Sequence, residues 1–379
     1  MKFAKNINTT AIVMLECTEK VETIGYGVRK LVVVAAGGTG GHVFPALCVA
    51  RELSSPDISV VFATDQRGQQ YLEEFKSTAV IQCISTSSKF FLYVSVLLSL
   101  CLAAVYLLRK RVNLVIGFGG YPSVPFVLAA QLLGIKTIIH EQNAVVGKAN
   151  KLLTKMSTKV ITSFGAVQNL SRTKNVFFVG NPTRYEQEYT SKKHSNNRIF
   201  TILVFGGSQG AKFFSEDIVS AICETAKTFS IKVIQQARQE DIQKIQNAYD
   251  AYGVDCLIST FFDTIDTMYK KSNLVVSRSG ASSIFEIIGF QKPAILIPYP
   301  KSTNGDQMEN AKFLEKHGAA IVIGEADISV ERLKQVIQHL IEDETSRYIM
   351  SKNLKKLYIK DTTKKFAQIV HKTLYNQHE

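Results

Sequence analysis

Two short apolar runs that each open directly into a glycine-rich loop constrain this chain more than any other feature. Leu31-Val32-Val33-Val34 leads through two alanines to Gly37-Gly38-Thr39-Gly40-Gly41, and Thr201-Ile202-Leu203-Val204-Phe205 leads to Gly206-Gly207-Ser208-Gln209-Gly210. Each run fits one buried strand, and a helix-like stretch follows each loop. Strand, glycine loop and helix in that order bring backbone N–H groups and a positive helix end together, which suits a phosphate. The loops start at Gly37 and Gly206, about one domain's length apart. Two α/β units follow from that spacing.

Further buried-strand candidates fall on both sides. Val60–Ala63, Leu114–Ile116, Thr137–Ile139 and Val160-Ile161 belong to the first half; Lys232–Ile234, Leu274–Val276 and Ala294–Ile297 belong to the second. Continuous apolar strands alternating with helical stretches predict parallel sheets covered on both faces. The expected fold class is α/β, with two doubly wound Rossmann-like domains facing a cleft. The expected organisation is an N-terminal extension over 1–30, a first domain over 31–184, a linker over 185–198 and a second domain over 199–361. The last stretch, 362–379, has helical spacing at Phe366, Ile369, Val370 and Leu374 and is expected to pack back on the first domain.

Hydrophobic residues make up 46% and charged residues 20%, a globular rather than a disordered balance. The net charge of +13 favours anionic partners: nucleic acid, acidic lipid or phosphorylated substrates. No basic run is interleaved with aromatics, so nucleic acid is not expected. The six cysteines form no C-x-x-C pair, which argues against a zinc site or a disulfide scaffold and for a reducing compartment. In residues 1–30 the longest apolar run, Ala11 to Leu15, is too short for a signal-peptide core. The expected location is therefore the cytoplasmic side.

Neither glycine loop ends in the G-K-[ST] of a P-loop, and neither matches G-x-G-x-x-G with a following acid. His42 follows the first loop directly, where the positive helix end favours a neutral ring, as a general base requires. A capping or packing histidine is the other reading of that position.

Gly37-Gly38-Thr39-Gly40-Gly41-His42 with Pro45-Ala46 resembles the opening motif of the MurG family, the GT-B enzymes that convert lipid I to lipid II in peptidoglycan synthesis. The resemblance continues through Gly117-Phe118-Gly119-Gly120-Tyr121-Pro122, His140-Glu141-Gln142-Asn143 and Gly180-Asn181-Pro182-Thr183-Arg184. It extends over Gly206–Gly210, Ser277-Arg278-Ser279-Gly280-Ala281 with Glu286, and Asp306-Gln307-Met308-Glu309-Asn310-Ala311. These motifs span roughly residues 31 to 320 in family order, and as a set they are highly specific.

The resemblance implies an inverting transfer of GlcNAc from UDP-GlcNAc to the 4-hydroxyl of the MurNAc of a lipid-linked MurNAc-pentapeptide. It implies a donor set of Thr39, Gly40, Gly41, Asn143, Arg184, Ser208, Phe262, Ala281, Ser282, Ser283, Ile284, Phe285, Glu286 and Gln307. Within it Ser208 would hold the diphosphate, Phe262 would offer a backbone contact to uracil, Glu286 would take the ribose hydroxyls and Gln307 those of GlcNAc. Gly40, Gly41, Tyr121 and Glu141 would line the acceptor side. His42 is the candidate base and Glu141 the alternative. No D-x-D triplet occurs, so neither a metal nor another cofactor is expected. One departure stands out: where the family usually has His-Gln-[Ser/Thr]-Gly, this chain has Gln235-Gln236-Ala237-Arg238.

The run Phe90 to Leu108 is uncharged and bracketed by Lys89 and Arg109-Lys110-Arg111. By length it meets the requirement of about twenty residues for a membrane span. A single span would put the next strand of the first sheet across the bilayer. The run therefore reads as a crossover helix, with Ser95, Ser99 and Ala103 on the sheet and an apolar face in the interface among acidic lipids. Lys148, Lys151 and Lys155 have helical spacing and either extend that basic surface or form a plain solvated face. The predicted location is peripheral at the cell membrane. The alternatives are another lipid glycosyltransferase of this fold, a UDP-GlcNAc 2-epimerase and a non-catalytic scaffold.

Overall fold

The computed structural model describes residues 15–17, 29–38, 40–69, 71–72, 78–81, 89–170, 175–184, 199–206 and 212–376. Thr39, Ser208 and the expected linker 185–198 lie outside that set. Two compact units are defined by their internal contacts. The first takes the chain up to Gln142, then Val146–Pro182, then the stretch from Thr362; the second takes Asn143–Val145 and Thr183–Asp361. The boundary expected after Arg184 thus falls after Pro182, and Arg184 and Asn143 belong with the second unit.

The first unit runs β1 (Leu15–Cys17), β2 (Lys30–Ala35), α1 (Gly40–Leu53), β3 (Ile58–Thr64), α2 (Gln66–Gln69), β4 (Thr78–Ile81) and α3 (Lys89–Arg109). It continues with β5 (Leu114–Gly117), α4 (Ser123–Leu132), β6 (Lys136–Glu141), α5 (Lys148–Leu153), β7 (Lys159–Thr162) and β8 (Val176–Phe178). The sheet order is β1-β4-β3-β2-β5-β6-β7-β8. Every pairing is parallel except β1 with β4, where Leu15 lies opposite Ile81. Residues 15–17 therefore add an edge strand within the stretch 1–30 that reads in sequence as an N-terminal extension.

Side chains of β2 alternate between two cores, as period-two geometry requires. Val32 and Val34 face a core that includes Val43, Leu47 and Ala50 of α1. Val33 and Ala35 face the other, with Ala103 and Leu107 of α3 and Phe126 and Ala130 of α4. Burial on both faces explains why the strand sequence is apolar throughout.

The second unit runs β9 (Phe200–Phe205), α6 (Asp217–Ala226), β10 (Ile231–Gln236), α7 (Ile242–Ala251), β11 (Asp255–Ser259), α8 (Ile265–Lys271) and β12 (Leu274–Ser277). It then forms α9 (Ala281–Phe290), β13 (Ala294–Leu296), α10 (Asp306–Lys316), β14 (Ile321–Val322), α11 (Val330–Glu342) and α12 (Glu344–Leu357). Its parallel sheet has the order β11-β10-β9-β12-β13-β14. The final helix, α13 (Thr362–Leu374), buries Phe366, Ala367, Val370 and Leu374 in the first unit's core with α1.

In each sheet the first α/β strand, β2 or β9, sits beside the point where the strand order reverses. Ligands of doubly wound sheets bind at that point, beyond the carboxyl ends of the strands. β2 runs on there into Gly37 and Gly38, and β9 into Gly206.

Helix α3 is neither fully buried nor fully exposed. Ser99 and Ala103 are buried, whereas Leu97 is 61% and Leu108 59% exposed, with Leu98 and Val105 also open. The side chain of Ser95 is outside the described set. Among the described residues no helix is long and apolar enough to cross a membrane.

Candidate functional site

In the first unit the loops after β2, β5 and β6 come together. Gly119 and Gly120 have φ of +89° and +76°, conformations that favour glycine. A Cβ on Gly120 would stand 2.6 Å from the Gly37 carbonyl oxygen, and one on Gly119 would stand 3.0 Å from Cδ2 of His42. Glycine at both positions lets the second loop lie against the first and against the His42 ring. Asp65, at the end of β3, accepts from the Gly38 N–H at 3.1 Å and the Gly68 N–H at 3.0 Å.

His42 lies in the first turn of α1, with Gly40 and Gly41 just before it. Burial lowers its pKa to about 4, so the ring is neutral at pH 7. The neutral form expected from the helix end is thus present, but desolvation is the cause. His140, on β6, is driven lower still, to about 3, by burial and by the charge His42 would carry. Its Nε2 lies 3.0 Å from the Ser163 hydroxyl, and its ring lies against Phe118 and Phe366.

Glu141 is almost fully buried at the end of β6. Its Oε2 accepts from the Gly147 N–H and from Nδ2 of Asn150, both at 2.9 Å. The same Asn150 nitrogen donates to the His140 carbonyl at 2.9 Å. Asn150 was not among the residues expected from sequence; it lies outside the quoted motifs, between Lys148 and Lys151. Tyr121, directly after Gly120, is 39% exposed.

The second unit gathers a separate set. Arg184 brings Nη2 to 3.8 Å from Glu286 Oε1, and the Tyr269 hydroxyl donates to Glu286 Oε2 at 3.3 Å. Burial raises the Glu286 pKa, opposed by the Arg184 charge and the Tyr269 hydrogen bond. Glu286 sits in α9 behind Ala281, Ser282, Ser283, Ile284 and Phe285, which form the first turn and a half. Ile284 is wholly buried on that helix's core face. Ser282 Oγ is buried with no hydrogen-bond partner among the described residues.

Gln307 stands in the first turn of α10. Its Oε1 accepts from the Tyr299 N–H at 3.0 Å, which directs the amide NH₂ to other acceptors. Asn310, fully buried one turn on, makes three contacts: Nδ2 donates to Asn143 Oδ1 at 3.0 Å and to the Ser279 carbonyl at 3.1 Å, while Oδ1 accepts from the Ala144 N–H at 2.8 Å. It therefore fixes Asn143, and only its place in the motif after Gln307 signalled it. Phe262 follows β11, half-buried at the end of that edge strand. Among the described residues no group of three or more His, Cys, Asp or Glu side chains gathers as a metal would require.

Two doubly wound α/β units carry carboxamides and acid–base groups near their strand ends, and the sequence matches make the chain a glycosyltransferase. Residues 32–162 match the glycosyltransferase family 28 N-terminal domain and residues 201–370 its C-terminal domain. The UDP-N-acetylglucosamine--N-acetylmuramyl-(pentapeptide) pyrophosphoryl-undecaprenol N-acetylglucosamine transferase of Wolbachia sp. subsp. Brugia malayi (strain TRS) is 36% identical over 344 residues, 89% of this chain and 98% of that protein. The crystal structure of Acinetobacter baumannii MurG superposes with a TM-score of 0.77 at 25% identity, covering 91% of this chain and 99% of that one. A putative UDP-N-acetylglucosamine 2-epimerase from Listeria monocytogenes shares the fold, with a TM-score of 0.68 at 14% identity over 93% of this chain and 98% of that one. The chain belongs to the MurG family of glycosyltransferase family 28.

Proposed function

We propose that this protein transfers GlcNAc from UDP-GlcNAc to the 4-hydroxyl of the MurNAc of a lipid-linked MurNAc-pentapeptide, with inversion at the anomeric carbon. The observation that carries this reading is Glu286, whose side chain on α9 is only 14% exposed and lies between Arg184 and Tyr269. A carboxylate so placed takes both hydroxyls of a ribose, and its raised pKa is relieved as those donors arrive. The hydroxyl of Ser282 gains a partner when the donor binds, and the amide NH₂ of Gln307 reaches the hydroxyls of GlcNAc. Ser208 and the loop after β9 take the diphosphate, with backbone amides as the donors.

The acceptor hydroxyl attacks C1 in one displacement, and the C1–oxygen bond to UDP breaks as the new glycosidic bond forms. Neutral His42 takes the proton from the attacking hydroxyl. Glu141 has its Oε2 engaged by Gly147 and Asn150, which supports a positioning role in the loop beside His42.

The lipid acceptor is reached from the cytoplasmic face of a membrane. The exposed leucines of α3 enter the interface, and the exposed cations Arg109, Arg111, Lys148, Lys151 and Lys155 meet acidic headgroups. A leucine side chain moved wholly from water to hydrocarbon gains ~1.5–3 kcal/mol, and each cation near an anionic surface about 1 kcal/mol.

The test is transfer of radiolabelled GlcNAc to the lipid acceptor with EDTA present, comparing wild type with His42→Ala and Glu286→Ala. Label in the lipid fraction, lost in a folded Glu286→Ala variant, is the expected result. Interconversion of UDP-GlcNAc with its 2-epimer and no lipid label would overturn it in favour of the isomerase.

A further inference from the structure

The end of β10 and the loop after it depart from the family pattern, and Arg238 makes contacts that the family's glycine would not. Gln235 is fully buried; its Nε2 donates to the Phe214 carbonyl at 2.9 Å and its Oε1 accepts from the Tyr249 hydroxyl at 2.6 Å. Arg238 donates through Nε to Asp241 Oδ2 at 2.8 Å, and the Ser215 hydroxyl donates to the same oxygen at 2.9 Å. Two separate ties thus converge on the consecutive residues Phe214 and Ser215, which lie just before α6.

Those residues connect onward to the donor set. The guanidinium of Arg278 lies 4.6 Å from the Phe213 ring centre, 5.5 Å from that of Phe214 and 5.2 Å from that of Tyr299. Cation–ring contacts of this length are attractive, most of all where water is excluded, and Arg278 is buried. Tyr299 in turn donates its N–H to Gln307 Oε1. A continuous chain of contacts therefore runs from the loop after β10 to the amide that faces the sugar.

We propose that Arg238 and Asp241, together with Gln235, are positioning residues for the nucleotide-sugar donor. They fix Phe214 and Ser215, and through the Arg278 stack they set the orientation of Gln307. This rests on the donor site proposed above. The ties are charge-assisted at Asp241, whose side chain is 14% exposed, while that of Arg238 is 38% exposed, so solvent partly screens the ion pair.

The experiment measures the Kd for UDP-GlcNAc by calorimetry, and KM for donor and acceptor with kcat, in wild type, Arg238→Ala, Asp241→Asn and the double variant. The expected result is a roughly five- to tenfold rise in donor Kd and KM in each single variant, with no further rise in the double variant. Acceptor KM stays unchanged, and the melting midpoint moves by less than about 4 °C. Arg238→Lys, which keeps the charge, restores part of the affinity. Unchanged donor Kd, or a fall in kcat and melting midpoint with Kd intact, would overturn the proposal and leave the cluster a local stabilising contact. Wild type that binds donor without transferring it would refute the transferase reading, while the Kd series still decides the positioning role.

Discussion

Asn150 donates one amide N–H to Oε2 of Glu141 and the other to the carbonyl of His140, both at 2.9 Å, so one carboxamide ties α5 to the end of β6. Exchange for aspartate would set a second carboxylate against Glu141 in a buried site. Asn150→Asp is therefore expected to destabilise the protein by about 2–4 kcal/mol, more than Asn150→Ala, because like charges add to the lost donors. Urea unfolding of both variants checks the order.

Gly119→Ala is expected to lower kcat about tenfold or more while leaving donor KM within twofold. The added methyl meets the His42 ring at 3.0 Å and forces a non-glycine residue into φ of +89°, so either the ring or the loop shifts. Strain of this kind costs ~1–3 kcal/mol. Steady-state kinetics on the folded variant, with a melting curve beside them, separate the two consequences.

The acid limb of activity follows from the lowered pKa of His42. A base with a pKa of about 4 stays unprotonated well below the ordinary histidine value of 6.5. The pH profile of kcat/KM should therefore hold level through pH 6.5 and fall only towards pH 4–5. Stability moves in the same window. Between pH 6.5 and 4 the unfolded chain binds protons at His42 and His140 that the folded chain does not, so stability falls as pH drops through that range. Chemical denaturation at pH 7 and pH 5 reads this, and His140→Phe should flatten part of the slope.

Replacing Leu97 and Leu108 by glutamate is expected to release the protein from vesicles containing acidic lipid without changing its melting midpoint by more than about 4 °C. Both side chains are more than half exposed, so the change spares the core and removes interfacial contact. Co-sedimentation with vesicles of phosphatidylglycerol checks it, and neutral vesicles separate the cationic contribution of Lys148, Lys151 and Lys155.

Much of the fold is legible in the chain because buried parallel strands write themselves as unbroken apolar runs. Val32 to Ala35 and Ile202 to Phe205 are read directly, and each continues into the glycines that mark the loop. Strand β1 is not legible, because three residues pairing along one edge carry no periodicity. Glu286, Glu141 and Asn143 are found by motif. Their supports, Tyr269, Asn150 and Asn310, are not read as site residues, since a carboxamide or phenol acting on another side chain has no sequence spacing of its own. The neutral state of His42 is foreseen from the helix end, while its cause, desolvation, depends on atoms brought in by Gly119 and its neighbours.

Phe366, Ala367, Val370 and Leu374 of α13 fill a core whose other members, from Val32 to Val179, come from the first half of the chain. During synthesis that core stays incomplete until the codons for α13 are read and that helix clears the ribosome. The second unit, whose sheet and helices are contiguous from β9 to α12, has all its core residues earlier. The order of maturation is thus inverted relative to the order of translation. A nascent chain stalled before Thr362 would expose an apolar groove on the first sheet to chaperones, so a short C-terminal truncation acts as a lesion in the N-terminal half.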